Sequence, residues 1–170
     1  TLADELRGIP YASSATVSLA YPRSQIADAL NGFGFVVPHI EQKALIACTY
    51  SSIKYPNRAP EGHVLLRAFV GGALRPEVIT WDDAALIATA TRELQPLLGL
   101  SGAPLFTRVN RYHAAMPQYH VGHVERVARI QARLEALPQL RLAGNAYAGV
   151  GIPDCIHSGE TAAEGVLQHL

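Results

Sequence analysis

The residue types best suited to chemistry gather at positions 149–159, in the stretch GVGIPDCIHSG. Gly149 and Gly151 keep side chains away from the backbone. Pro153 suits the first turn of a helix, where its missing N–H costs nothing. Such a helix start leaves N–H groups unpaired and carries about half a positive charge, so it favours an anion. Two nucleotide-binding patterns are near misses. In G-x-G-x-x-G, Asp154 stands where the third glycine belongs, and no acidic ribose partner can follow in the residues that remain. In the phosphate-loop pattern, Gly144 and Gly149 have the right separation but Val150 takes the place of the lysine. The residues by themselves leave two readings: a plain glycine turn into a helix, or a backbone that approaches an anionic ligand.

Other reactive side chains read as structural. His113, His120 and His123 lie close together in HAAMPQYHVGH. They lack the H-E-x-x-H pattern and have no nearby cysteine pair, so no metal site is expected. His120 and His123 read as surface or helix-capping residues. Cys155 falls in the first turn of a helix, where a thiolate can be stabilised, but reads as a buried, inert thiol. Cys48 and Cys155 are far apart and read as free thiols of a reducing compartment. Arg126, Arg129 and Arg133 read as the solvated face of a helix.

Elements must hold these residues in place. SATVSLAY at 14–21 alternates Ala15, Val17, Leu19 and Tyr21 against polar neighbours, the period of a half-buried strand. FGFVVP, ALIACTY and VLLRAFVGG follow, separated by Pro, Gly and Asn, and this close spacing favours antiparallel pairing. Thr80 and Asp82 can start a helix whose apolar face is Leu86, Ile87, Ala90, Leu94 and Leu97, with Gly99 as its stop. FTRVNRY predicts another strand, closed by Pro117. After Gly122, a second helix is expected to bury Val124, Val127, Ile130, Leu134 and Leu137 and to end at Pro138. LRLAG is then expected as a short buried strand, and a third helix begins at Pro153. The order reads as α+β, with a change of character near Met116.

With 170 residues, 49% of them hydrophobic and 16% charged, the chain can build a real core and is no disordered tail. Its 14 basic and 14 acidic side chains balance, so no nucleic-acid partner is expected. No apolar run approaches the roughly 18 residues of a membrane span, and no signal peptide is expected at Thr1.

Five stretches then occur in order: GFGFVVP, YPNRAPEG, LLRAFVGG, AMPQYHVGH and LAGNAYAGVGIPDCIHSGETAA. With these, nearly the whole chain resembles the C-terminal part of the protoporphyrinogen oxidase family, FAD-dependent enzymes of haem biosynthesis related to the flavin amine oxidases. The resemblance implies the C-terminal portion of a two-lobed FAD-linked oxidoreductase. Residues 1–114 would form part of the substrate-binding domain, a mostly antiparallel sheet. Residues 115–170 would form the C-terminal helix-strand-turn-helix of the FAD-binding domain.

The resemblance further implies FAD as cofactor, contacted by Asn145, Gly149, Val150, Gly151 and Ile152. Tyr112 would lie near it, where many relatives carry Trp. The two glycines would let backbone N–H groups reach the flavin, with Gly151 expected at a positive φ. A helix N-terminus there would stabilise anionic reduced flavin by roughly 0.3–2 kcal/mol. Val36 and Tyr55 would clamp the porphyrinogen macrocycle, although each read alone is an ordinary strand residue. No residue of this chain would be catalytic, because the flavin does the redox work and oxygen or another acceptor reoxidises it.

The family's dinucleotide turn and its propionate-binding arginine have no counterpart in this sequence. The chain is therefore expected to need the N-terminal part of the same enzyme as its partner, and to be inactive alone. The expected reaction is oxidation of protoporphyrinogen IX to protoporphyrin IX. Coproporphyrinogen III is the alternative substrate within the family, and a non-catalytic binding module is the alternative outside it. The resemblance allows a homodimer, and places the protein in the cytoplasm or peripherally on the cytoplasmic membrane face.

Overall fold

The computed structural model describes residues 1–168 and divides the chain into two units, Ala12–Ala115 and Thr1–Tyr11 with the chain from Met116 onward. In the first unit the period-two segments become strands. They are β1 (Tyr11–Pro22), β2 (Gly34–Val36), β3 (Leu45–Tyr50), β4 (His63–Gly71) and β5 (Phe106–Pro117), in the sheet order β2-β3-β4-β1-β5. β4 pairs antiparallel with both β1 and β3, placing Leu19 opposite Leu66, Val17 opposite Ala68 and Ala47 opposite Phe69. A bulge between Leu45 and Ala47 shifts the β3 register. A short helix, α2 (Ser51–Lys54), links β3 to β4.

One face of the sheet carries the core. Val17, Leu19, Tyr21, Leu66, Ala68 and Val70 are buried against α3 (Asp83–Leu98). Asp82 caps that helix by accepting the Ala85 N–H at 2.7 Å, and Gly99 closes it in the left-handed region at φ 59°. Both ends are where the sequence puts them. The buried stripe differs by one residue: Leu98 enters the core and Leu97 is exposed. Leu86, Ala90, Leu94 and Leu98 recur every fourth position, and Leu97 lies about 100° round the helix from that row. Glu93, on the same helix, accepts the backbone N–H groups of Ala44 at 3.2 Å and Leu45 at 2.9 Å, which anchors the start of β3.

Both cysteines are free, in different surroundings. Cys48 is 1% exposed, and burial pushes its thiol up to about 12. Cys155 is only half-buried, so the expectation of a buried thiol there is corrected. A disulfide reagent such as DTNB is therefore expected to titrate one thiol in the native protein and the second only on unfolding, because the thiolate is the reactive form. Fast modification of Cys48 in the native state would contradict the packing.

The second unit comprises α1 (Leu2–Arg7), α4 (His123–Leu134) and α5 (Ile152–Leu167). Its core is Ile9, Ile130, Leu134 and Ala146, with Leu2, Leu6, Leu142 and Tyr147 packed around them. α4 stops at Leu134, before Pro138, in a tight turn where the Leu137 N–H reaches the Leu134 carbonyl. Val124 is 77% exposed and Leu137 is also exposed, whereas His123 is buried. Ile130 and Leu134 are buried as expected and Val127 is half-buried, so the row differs at its ends, where His123 is buried instead of Val124 and Leu137 lies outside.

The three α4 arginines are partly solvated, as expected, but they also share one partner. Arg126, Arg129 and Arg133 converge on the carboxylate of Glu5 in α1, at 3.3, 2.9 and 3.7 Å. The hydrogen bond from Arg129 and the neighbouring guanidinium charges hold the Glu5 carboxyl below its ordinary value of 4.5. A carboxyl depressed in the folded state stabilises fully above its unfolded pKa, and the gain is lost as pH falls through the folded value. The difference in denaturation midpoint between wild type and Glu5→Gln should thus be largest near neutral pH and shrink below pH 4.5. Added salt should also shrink it. A difference that grows in acid would refute this role.

Candidate functional site

The glycine turn follows α4. Residues 140–144 do not form the expected strand. A strand exists through its ladder, and among the described residues no strand pairs with this segment. Its Leu140 N–H bonds the Leu137 carbonyl, and its Gly144 N–H bonds Ser158 Oγ at 3.0 Å. The chain then turns through Asn145 and Ala146 to Gly149, at φ 129°, and enters α5 at Ile152.

Two side chains, Tyr119 and Asp154, fix this turn. The Tyr119 hydroxyl donates to the Asn145 carbonyl at 2.7 Å and accepts the Gly149 N–H at 3.2 Å. The Tyr119 ring stacks on His123, centroids 4.0 Å apart and planes within 13°. His123 is thus buried beneath Tyr119, not at the surface, and its Nε2 has no hydrogen-bond partner among the described residues. Asp154 accepts the Gly151 N–H at 3.2 Å, the return half of a capping arrangement. The Gly-x-x-Asp spacing could have signalled it. Nothing local signals Tyr119, which lies 30 residues from Gly149.

This geometry revises the role of the glycines. Gly151 has φ −69° and ψ 151°, extended backbone open to any residue, so the expected positive φ belongs to Gly149 alone. A Cβ on Gly149 would sit 2.7–2.9 Å from the Asp154 side chain, and one on Gly151 would sit 2.8 Å from Asp154 Oδ2. Both glycines make room for the aspartate cap. Their local reason is internal to the chain.

What the turn presents outward is apolar surface and backbone donors. Val150 is 65% exposed and Ile152 77%, and Ile156 continues the same side of α5 one turn on. Beside them lies the first turn of α5, where a helix leaves backbone N–H groups without intrahelical acceptors and Pro153 contributes none. A flat group with an apolar edge and electron-rich atoms fits this donor set. The Asp154 carboxylate uses part of the helix's positive end, so the pull on an anion is weaker than a bare N-terminus would give.

Val36 and Tyr55, the residues expected to meet the substrate, lie in the sheet unit. Opposite its core, the sheet has a second face without α3. Val36 stands exposed there on the β2 edge, in the row Val36, Ala47, Phe69, Thr16. On the β5 edge, Val109 packs into the core and Arg111 bonds the Ile79 and Trp81 carbonyls and Asp83, so alternation turns Tyr112 to the open face. Tyr55 follows α2, exposed, with Lys54 Nζ 5.4 Å and the Arg58 guanidinium 5.9 Å from its ring centre. Val36 and Tyr112 thus share a face, and Tyr55 lies on the β3–β4 connection. Asn145, Gly149, Val150, Gly151 and Ile152 come together in the other unit.

A model of the flavin containing amine oxidoreductases matches residues 1–167. The chain is 41% identical over 157 residues to a coproporphyrinogen III oxidase of Staphylococcus aureus, covering 92% of this chain and 34% of that protein. It is 33% identical over 173 residues to a chloroplastic protoporphyrinogen oxidase of Nicotiana tabacum, covering 95% and 32%. A crystal structure of a provisionally named protoporphyrinogen oxidase from Exiguobacterium sp. 255-15 superposes with TM-score 0.83 at 30% identity, covering 98% of this chain and 37% of that one. The chain spans about a third of the length of the curated relatives it matches.

Proposed function

The chain belongs to the flavin containing amine oxidoreductase family, and from that premise we propose that it forms part of an FAD-dependent enzyme that oxidises a porphyrinogen in haem biosynthesis. In this reading Ala12–Ala115 serves the substrate, and Thr1–Tyr11 with the chain from Met116 onward serves the flavin. The observation that carries it is the pinned turn: exposed Val150 and Ile152 at the N-terminus of α5, held by Tyr119 and Asp154.

The flavin, when bound, supplies the acceptor for a hydride from a methylene bridge of the substrate. The chain's own residues bind and orient. Val150 and Ile152 offer an apolar surface that excludes water, and Tyr119 keeps the turn from moving. Val36 and Tyr55 hold the macrocycle, and Tyr112 lends an aromatic side near the cofactor. The higher identity to a coproporphyrinogen III oxidase, 41% against 33% for the tobacco protoporphyrinogen oxidase, favours coproporphyrinogen III as substrate. The N-terminal part of the same enzyme, absent from this sequence, supplies the remaining flavin contacts. No helix among the described residues is long and apolar enough to cross a membrane.

The test is anaerobic mixing of the complete, flavin-loaded polypeptide with each porphyrinogen. Bleaching of oxidised-flavin absorbance is expected on anaerobic mixing, and porphyrin fluorescence once oxygen is admitted, because forming the porphyrin removes six electrons and one flavin accepts two. A flavin that stays oxidised with both substrates would overturn the reading.

A further inference from the structure

Arg67 stands in the middle of the open sheet face, on β4, in the row Gly34, Thr49, Arg67, Ser18. Of the twelve arginines in the sequence, eleven make a side-chain hydrogen bond, ion pair or ring contact. The Arg67 side chain makes none among the described residues. Its neighbours on this face are Leu65 and Phe69 along the strand and Thr49 and Ser18 across it, and none carries a carboxylate. By ladder spacing, its Cα lies about 12 Å from that of Val36, two strands away and one row along.

A guanidinium among apolar and hydroxyl side chains keeps its charge in water while the face is open. Whatever covers the face must bring an anion, because an unpaired charge is strongly disfavoured once desolvated. The planar fork of arginine matches a carboxylate bidentately. Phe69, Leu65 and Val36 suit an apolar ring system beside it.

We propose that Arg67 binds a substrate carboxylate and selects a tetracarboxylate porphyrinogen over a dicarboxylate one; this rests on the porphyrinogen reading above. Coproporphyrinogen III carries a propionate on each of its four pyrroles. Protoporphyrinogen IX has vinyl groups in place of two of them, so a carboxylate meets the guanidinium in only half of the macrocycle's orientations, against all of them for coproporphyrinogen III. Charge complementarity at the centre of the face therefore favours the former.

The experiment uses the complete, flavin-loaded polypeptide as wild type, Arg67→Gln and Arg67→Lys. KM and kcat are measured for both porphyrinogens, and affinity for oxidised coproporphyrin III and protoporphyrin IX by fluorescence quenching. Arg67→Gln should raise the coproporphyrinogen KM and weaken coproporphyrin III binding about tenfold or more, since a charge-assisted hydrogen bond is lost. Its kcat, flavin content and thermal midpoint should hold, protoporphyrinogen KM should change less than about twofold, and Arg67→Lys should recover part of the loss. An unchanged coproporphyrinogen KM, or equal losses for both substrates, would overturn the role of Arg67 alone. A wild type that oxidises neither porphyrinogen would overturn the underlying reaction, while the quenching titrations would still decide whether Arg67 binds a carboxylate.

Discussion

Gly149→Val is expected to strip the flavin from the complete enzyme, lowering the FAD-to-protein ratio about tenfold or more at a fixed FAD concentration. At φ 129° a β-branched residue is an outlier costing roughly 1–3 kcal/mol. Its Cβ would also fall 2.7–2.9 Å from Asp154, so the cap and the start of α5 must move. Movement there displaces Val150 and Ile152, the residues proposed to face the cofactor, and breaks the Gly149 N–H bond to Tyr119. Gly151→Ala is the matched control. Its φ of −69° accepts any residue, and its one close contact is a carboxylate oxygen that can swing aside. That displacement loses one exposed hydrogen bond, about 0.5–1.5 kcal/mol. The flavin ratio and the thermal midpoint of the apo form should rank wild type, Gly151→Ala, then Gly149→Val. A Gly149→Val enzyme that keeps full flavin would reduce the turn to a structural feature.

Glu93→Ala is expected to destabilise the sheet unit by about 2–6 kcal/mol. The carboxylate accepts two N–H groups, from Ala44 and Leu45, and both of those residues are buried. Alanine would leave two donors without an acceptor, at about 1–3 kcal/mol each. Glu93→Gln keeps one carbonyl oxygen and should lose roughly half as much. Because β2 pairs with β3, loosening the start of β3 should also unsettle Val36 and weaken porphyrinogen binding. The single tryptophan, Trp81, packs on this core and reports its unfolding in a urea titration. A midpoint for Glu93→Ala within experimental error of wild type would show that water replaces the carboxylate at no cost.

These two effects differ in how far they can be read from the chain. Gly149 sits in a stretch whose glycines, proline and aspartate announce a turn and a helix start. Glu93 is one more charged residue on an amphipathic helix until the fold brings it to Ala44 and Leu45, 49 and 48 positions away.

The sequence by itself determined the elements whose cause is local. Alternation in 14–21 specifies β1, and the Asp82 cap and the Gly99 stop bound α3. Ordered motifs along the whole length identify the family, because each records a run of adjacent residues. Tertiary structure alone decided the partners. It brought Tyr119 to the Gly149 turn and gathered three arginines round Glu5. Among the described residues it left 140–144 without a ladder, moved the positive φ from Gly151 to Gly149, and set the Arg67 side chain without a partner mid-sheet. The physical reason is range. Propensity, capping and periodicity act within a few residues, whereas hydrogen bonds, ion pairs and burial depend on which distant segments meet, and a sequence pattern of period two or 3.6 records only which face a residue takes.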